Sequence, residues 1–411
     1  TPRWCSRRHE APPMTSGAPG PLHVALLAEY YRPRLGGIET FTHDLAKALT
    51  RRGHQVRVIT PTPADASDIG TGVPASEDLE SGDFKVVRVP SMALPRVGVP
   101  CSPALPRRLR TAIAAAPTDV VHVQASVASL GALAGGWAGR SLGLPIVTTF
   151  HSVLGKHAWL YRWTDAALGW GLWSTVLAAV SPAVSRGVAD TIGREIQVLP
   201  NGVDVAWWRV QDGDIPAPDP RTLRVVTVHR LFARKRGLAL LEIVAAAQKR
   251  RSSDRRIEIT FVGDGPERGI LMRRAAELEL SARFLGSLAR TDVRRELLRA
   301  DVFALATDED AFVIAAAEAR AVGLPVLAFP TGAMPQLVAD GRGGILVESD
   351  REFEDAVVRL LDEPELLARL KAESLAVPPP YDWSQIVIEQ EEAYRSAIEL
   401  RKGHGSLVPS P

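Results

Sequence analysis

Residues 301–329, "DVFALATDEDAFVIAAAEARAVGLPVLAF", decide the fold. "DVFALAT" is a uniformly apolar run of strand length, the pattern of a parallel strand covered on both faces. After three acids the alanine-rich stretch predicts a helix from near Phe312, ending at Gly323 ahead of Pro325. "PVLAF" then reads as a second strand. Two strands joined through a helix form a right-handed crossover in a parallel sheet, and such sheets bind ligands beyond the carboxyl ends of their strands. One feature does not suit a buried helix. Glu318 places a carboxylate among alanines, which costs free energy unless the group is paired. Its partner is either a neighbouring arginine or a ligand.

The alternation continues in both directions. Towards the N-terminus lie "HVALLAE", "QVRVIT", "KVVRVP", "DVVHVQ", "PIVTTFH" and "TVLAAVS", separated by amphipathic stretches such as Glu39–Arg52 and Pro106–Ala116. "PNGVDVAWWRVQDGDIPAPDPRT" (200–222) carries four prolines and no long period, and reads as an interdomain segment. A second series follows, with "LRVVTVHRL", "IEITFVGDG", "ARFLGSL" and "GILVES" around the opening unit. The expected fold class is α/β, with two Rossmann-like domains facing each other across a cleft. The expected organisation is a disordered tail over 1–20, a first domain over 21–199, a second over 200–380, a helix over 381–402 that packs back on the first, and a tail over 403–411.

Composition excludes several classes. The 411 residues are 46% hydrophobic and 23% charged, with 49 basic and 47 acidic residues and a formal net charge of +2. That balance argues against nucleic acid as the main partner. Only Cys5 and Cys101 occur, too few for a disulfide framework or a zinc site, which points to a reducing, cytoplasmic setting. No stretch reads as a signal peptide. The longest apolar run, Ala166 to Val180, falls short of the roughly 20 residues that span a bilayer.

Several residues fall at strand ends, where chemistry is expected. Gly36 and Gly37 sit at a loop–helix junction, where a backbone can approach a ligand and helix amides can face it; such glycine pairs are also common without any ligand. Arg230 and Lys235 in "TVHRLFARKRG" suit a diphosphate, or form a solvated basic loop with Arg234 and Arg236. Asp310 is placed at or just before the cap of the opening helix, leaving the amides of Phe312, Val313 and Ile314 at its positive end as a seat for phosphate. Glu318 lies about 12 Å further along the axis, so two acids flank that seat. "VGDGPERG" lacks the full dinucleotide fingerprint, which disfavours a nicotinamide-dependent oxidoreductase.

"DAFVIAAAEARAVGLPVLA" resembles the donor motif of retaining GT-B glycosyltransferases of the large family 4 type, which includes sucrose synthases, phosphatidylinositol mannosyltransferases and the mycothiol-pathway glycosyltransferase. "LGGIETFTHDLAKALTRRGHQVRVIT", "DVVHVQ", "TTFH", "VLPNGVD", "HRLFARKRG", "VGDGPERGIL", "FLGSL" and "DVFALAT" come in that family's order, over about residues 22–347. The resemblance implies a metal-independent hexosyltransferase without a cofactor, using a GDP- or UDP-hexose as co-substrate. Mannose, glucose or GlcNAc would pass to an alcohol acceptor: a lipid, an inositol or a glycan. It implies that Gly36 and Gly37 lie against the donor diphosphate, Arg230 and Lys235 neutralise it, and Glu318 binds the ribose. His151 would stand beside the anomeric carbon and Asp310 against the transferred sugar. Asp310 is one methylene shorter than the family's usual Glu, Val313 stands where glycine is common, and His229 replaces a glycine. Those departures motivate the alternative of a non-catalytic homologue acting as a binding partner or scaffold.

Two Asp-x-Asp patterns, Asp212–Asp214 and Asp308–Asp310, lack the strand-end context of a metal-dependent transferase. On the acceptor side, Trp159, Trp163, Trp170 and Trp173 form one stripe if a single helix runs past Gly169. The stripe is either core or an acceptor surface. Arg107, Arg108 and Arg110 open an apolar helix where lipid-acceptor members carry a basic segment. This suggests peripheral contact with an anionic membrane on its inner face, or a plain solvated helix start.

Overall fold

The computed structural model describes residues 20–34, 36–62, 76–80, 84–91, 102–127, 129–211, 219–338 and 342–405. Both cysteines, Asp212, Asp214 and most of the two expected tails lie outside the described residues.

The first sheet contains β1 (His23–Ala28), β2 (Gln55–Thr60), β3 (Ser76–Glu80), β4 (Phe84–Arg88), β5 (Val120–Ala125), β6 (Ile146–Phe150), β7 (Val176–Ala179) and β8 (Gln197–Val198). Their order is β3-β4-β2-β1-β5-β6-β7-β8, parallel throughout except for β3 against β4. β1 and β5 are almost wholly buried, which explains their unbroken apolar reading. β3, "SEDLE", and β8, with both residues exposed, carry no apolar pattern, and pattern reading did not identify either. Around this sheet lie α1 (Gly37–Arg51), α2 (Leu105–Ala114), α3 (Leu130–Ser141), α4 (Ala158–Leu168), α5 (Pro182–Ile192) and the single turn α6 (Val205–Trp208).

The second sheet has β9 (Thr222–Val228), β10 (Arg256–Val262), β11 (Ser281–Phe284), β12 (Val302–Leu305), β13 (Val326–Ala328) and β14 (Gly344–Leu346), all parallel in the order β11-β10-β9-β12-β13-β14. Its helices are α7 (Gly237–Arg250), α8 (Arg268–Glu277), α9 (Arg290–Arg299), α10 (Ile314–Ala321), α11 (Met334–Leu337), α12 (Asp350–Asp362) and α13 (Pro364–Ala376), followed by α14 (Trp383–Gly405). Two open parallel α/β sheets in one chain make a GT-B fold.

α14 lies against α1 and the first sheet. Tyr394 is fully buried and its hydroxyl bonds His122 Nδ1 at 2.8 Å, while Glu391 pairs with Arg52 and His54 of the α1–β2 turn. The two crossings between the sheets are tied to each other, with Val203 N donating to the Tyr381 carbonyl at 2.7 Å. A Cβ on Gly202 would fall 2.3 Å from the Trp383 ring, so the tie requires glycine there. One apolar core then runs continuously from Phe41 through Trp383 and Tyr381 to Phe312.

The tryptophan stripe does not form. α4 stops at Leu168 because Gly169 adopts a left-handed conformation (φ 61°), and Trp170 begins a separate 3-10 turn. Trp170 turns inward at 7% exposure, whereas Trp159 and Trp163 stand outward at 63% and 65%.

Candidate active site

Arg230, Lys235 and Asp310 lie where β9 and β12 end. Beyond β9 the chain passes through His229 and Arg230 into a 3-10 turn, Ala233–Lys235, and Thr307 after β12 donates to the Arg234 carbonyl at 3.2 Å. That tie brings Lys235 onto Asp310, and the two form a direct ion pair with side chains only 13% and 12% exposed. Burial lowers the Lys235 pKa, while Asp310 holds its proton in place. The glycines of "VGDGPERG" serve this loop. A Cβ on Gly263 would reach the His229 carbonyl at 2.0 Å, and one on Gly265 the Leu231 carbonyl at 2.4 Å. They permit close packing of two loops.

The opening helix begins later than its sequence suggests. α10 starts at Ile314 with Val313 as an uncapped boundary residue. Asp310 does not cap it, because its carboxylate is taken by Lys235 and by the amide of Ala311 at 2.9 Å. Phe312 and Val313 belong to the preceding loop, and Phe312 anchors that loop on Tyr381 with ring centroids 5.0 Å apart. The amides at the first positions of α10, Ile314 and Ala315, have no carbonyl one turn back within the helix. Gly37 of the glycine pair lies close to the start of this helix, since a Cβ on it would stand 3.9 Å from Ile314 Cδ1. Gly36 is extended and serves another purpose: a Cβ there would meet the Glu39 carboxylate at 2.4 Å.

Glu318 does meet an arginine. Arg290 Nη2 lies 3.6 Å from Glu318 Oε1, and Arg290 Nη1 donates to Asp44 of α1 at 2.9 Å. Burial pushes the Glu318 carboxyl up to about 7, against the pull of Arg290 and with a further push from Asp44. At neutral pH this carboxylate therefore sits near its own midpoint.

His151 follows β6 and is held from three sides. Its amide donates to the Ala125 carbonyl at 2.9 Å, its Nε2 bonds Gln124 Oε1 at 2.7 Å, and its ring packs on Phe41 at 4.9 Å. An amide oxygen only accepts, so the ring proton is on Nε2 and Nδ1 keeps its lone pair. Burial lowers the His151 pKa to about 3, leaving the ring neutral across the ordinary pH range. His229, in place of the usual glycine, is likewise held neutral, its pKa lowered to about 4 by burial.

Reading by residue type missed Glu39, Arg34, Arg290 and Gln124. Glu39 is buried in the first turn of α1, 3.4 Å from Arg34 and facing Arg230. Burial raises its pKa, and the two arginines oppose that rise. An acid in a first helical turn is so ordinary that nothing in the pattern marks it.

The geometry agrees with comparisons to known proteins. Residues 35–207 match the Glycosyltransferase Family 4 model, and residues 222–363 match the Glycosyl transferases group 1 model. The chain is 29% identical over 385 residues to a phosphatidyl-myo-inositol mannosyltransferase of Mycolicibacterium smegmatis, covering 91% of this chain and 94% of the relative. It is also 29% identical over 343 residues to a GDP-mannose-dependent alpha-mannosyltransferase of the same organism, covering 80% and 85%. Among solved structures, Anabaena HepE in complex with UDP and glucose superposes with a TM-score of 0.72 at 20% identity, covering 91% of this chain and 100% of HepE. A sucrose-phosphate synthase from Thermosynechococcus elongatus gives 0.70 at 18% identity, covering 92% and 99%. At those identities the structures speak to the fold alone. Fold, motif order and family models together place this chain among the GT-B glycosyltransferases of the family 4 type.

Proposed function

We propose that this glycosyltransferase is a retaining, metal-independent hexosyltransferase that takes its sugar from a GDP- or UDP-hexose, mannose being the first candidate. The observation that carries the reading is the meeting of Gly37 with the start of α10, in a cleft whose second wall presents Arg230 and the Lys235–Asp310 pair. A diphosphate seated there gains helix-dipole and charge-assisted contacts, each worth about 1.5–3 kcal/mol. Asp310 takes hydrogen bonds from the hexose and Glu318 from the ribose. The preference for mannose rests on the two mannosyltransferase relatives. The UDP-glucose complex of HepE keeps glucose in the test.

In the reaction, the bond from C1 to the diphosphate oxygen breaks as the acceptor oxygen bonds C1 on the same face. The acceptor proton passes to a phosphate oxygen of the leaving group. None of the named side chains has to form a covalent intermediate. Their work is orientation and stabilisation of the charge that develops on the diphosphate. Neutral His151, with Nδ1 open as an acceptor, orients a sugar hydroxyl.

Calorimetric titration with UDP, GDP and ADP, then with the hexose conjugates of whichever binds, tests the reading. Selective binding that is lost in Glu318→Ala and Arg230→Ala supports it. A folded chain that binds no nucleotide would sink it and bring forward the scaffold reading, whose support is that Lys235 already occupies Asp310. Activity unchanged by a chelator is the expected result for the metal-independent mechanism. Peripheral membrane contact belongs to the same proposal. Arg107, Arg108 and Arg110 are all exposed on α2, and anionic vesicles should co-sediment the chain more strongly than neutral ones. Among the described residues, no helix is long and apolar enough to cross a membrane.

A further inference from the structure

Beside the cleft, the first domain holds a cavity of about 210 Å³ between α3, α4 and the ends of β5 and β6. Ala125, whose carbonyl holds the His151 amide, and Phe150, the residue before His151, both line it. The cavity therefore lies next to His151 of the proposed reaction centre. Among the described residues, none of those lining it is charged. Leu130, Leu133, Leu160, Phe150, Trp170 and Trp173 supply most of the wall.

All of its hydroxyls except that of Ser126 are engaged within the protein. Thr148 bonds Ser174 at 2.7 Å, Tyr161 donates to the Ser126 carbonyl at 2.6 Å, and Thr164 donates to the Leu160 carbonyl at 2.9 Å while accepting from Trp170 Nε1 at 3.2 Å. Ser129 bonds the buried Glu29. A sugar ring pushed into this space would lose water at every hydroxyl and find few partners in exchange. A hydrocarbon chain would lose nothing comparable and would gain contact with aliphatic and aromatic walls. The outer surface continues the same chemistry. Trp159, Trp163, Leu168 and Leu172 are 63%, 65%, 54% and 72% exposed on the hairpin whose inner face, through Leu160, Tyr161 and Thr164, lines the cavity.

We infer that the acceptor is an alcohol bearing a hydrocarbon tail, with the tail seated in this cavity and the hydroxyl presented at His151. This rests on the proposed transferase reading and names the acceptor class for it. Two sources share that chemistry, a lipid in a bilayer and a soluble alkyl-bearing compound, and the test separates them.

The full chain is titrated with hexanol, octanol and decanol, each kept below its solubility limit, with nucleotide binding measured in parallel on the same preparation. Affinity should rise about three- to fourfold per added methylene while the cavity fills. Ala132→Phe, which fills the cavity from α3, should abolish that dependence and leave nucleotide binding and melting temperature near those of the parent. A flat chain-length series, an unaltered series in Ala132→Phe, or competition for the site by free inositol or maltose would overturn the inference. If nucleotide binding fails while the series holds, the transferase reading falls and the cavity remains an alkyl site. Co-sedimentation with neutral phosphatidylcholine vesicles, lost in the Trp159→Ser/Trp163→Ser double variant, assigns the tail to a bilayer lipid. Alcohol binding without co-sedimentation assigns it to a soluble compound.

Discussion

Arg290 ties the second domain to Asp44 of the first, with Nη1 donating to the Asp44 carboxylate at 2.9 Å. The other arm of the same guanidinium lies 3.6 Å from Glu318. The carboxylate proposed to hold the ribose thus shares its cation with a contact between the two sheets. The proposed ribose site and this contact between the two domains draw on one side chain.

The first prediction concerns pH. Burial raises Glu318 to about 7, so between pH 5 and pH 7 a growing fraction of it is ionised. The ionised carboxylate is the better acceptor for ribose hydroxyls. Nucleotide affinity should therefore rise as pH increases through about 7 and flatten above it, with a proton released on binding at lower pH. Folding carries the opposite linkage. The native state holds a proton that the unfolded chain, with a pKa of 4.5, gives up, so this group's contribution to stability declines as pH rises from about 4.5 to about 7. Glu318→Gln should bind nucleotide about tenfold to a hundredfold more weakly and show no pH step. Calorimetry in two buffers of different ionisation heat reads both effects.

Arg290→Ala should leave Asp44, whose side chain is 9% exposed, without its cation. Because Arg290 itself is 33% exposed, water screens part of the loss, and about 1–2 kcal/mol is expected. The melting temperature should drop by a few degrees, and nucleotide affinity should fall with it because Glu318 becomes harder to ionise. Arg290→Lys keeps the charge and should recover part of both. A melting curve unchanged in Arg290→Ala would show that the bridge adds nothing.

Much of this was legible from sequence because parallel strands buried on both faces read as apolar runs. β5 and the β12–α10–β13 unit are instances. Arg230, Lys235, Asp310 and Glu318 stand out in the sequence because charges at strand ends and in alanine-rich helices are conspicuous. Local patterns carry no information on contacts made by residues distant in sequence. Arg290 is an ordinary first-turn arginine of α9 until the fold sets it against Asp44, 246 residues away. The tryptophan stripe failed for a local reason: Gly169 could have continued a helix, and instead took the left-handed conformation that ends one. β3 carries no readable signal because "SEDLE" has a single apolar residue and so no alternation.

Gln124 should matter for turnover more than for binding. It fixes the ring of His151 and the position of its proton. Gln124→Leu should lower kcat by about tenfold to a hundredfold, with the KM for the donor changed less than threefold. Since His151 titrates near 3, its removal should not shift any limb of the pH–rate profile above about pH 5. A limb that moves in His151→Ala would show that the ring is charged during the reaction.

Variants of Asp310 and Lys235 should separate binding of the diphosphate from transfer of the sugar. Each is the other's partner, so a diphosphate that uses Lys235 has to share it with Asp310. Removing the acid in Asp310→Ala therefore leaves Lys235 open, and the nucleoside diphosphate should bind as well as before or severalfold more tightly. Transfer should fall at least a hundredfold, because the hydrogen bonds proposed for the hexose are lost. Lys235→Ala removes the cation itself, and should weaken the diphosphate about tenfold to a hundredfold. Asp310→Glu, which restores the length usual in the family, should keep the ion pair and retain most of the activity. Equal losses of diphosphate binding in Asp310→Ala and Lys235→Ala would mean that the pair acts only as a structural clasp, and would count against the proposed role of Asp310 at the sugar.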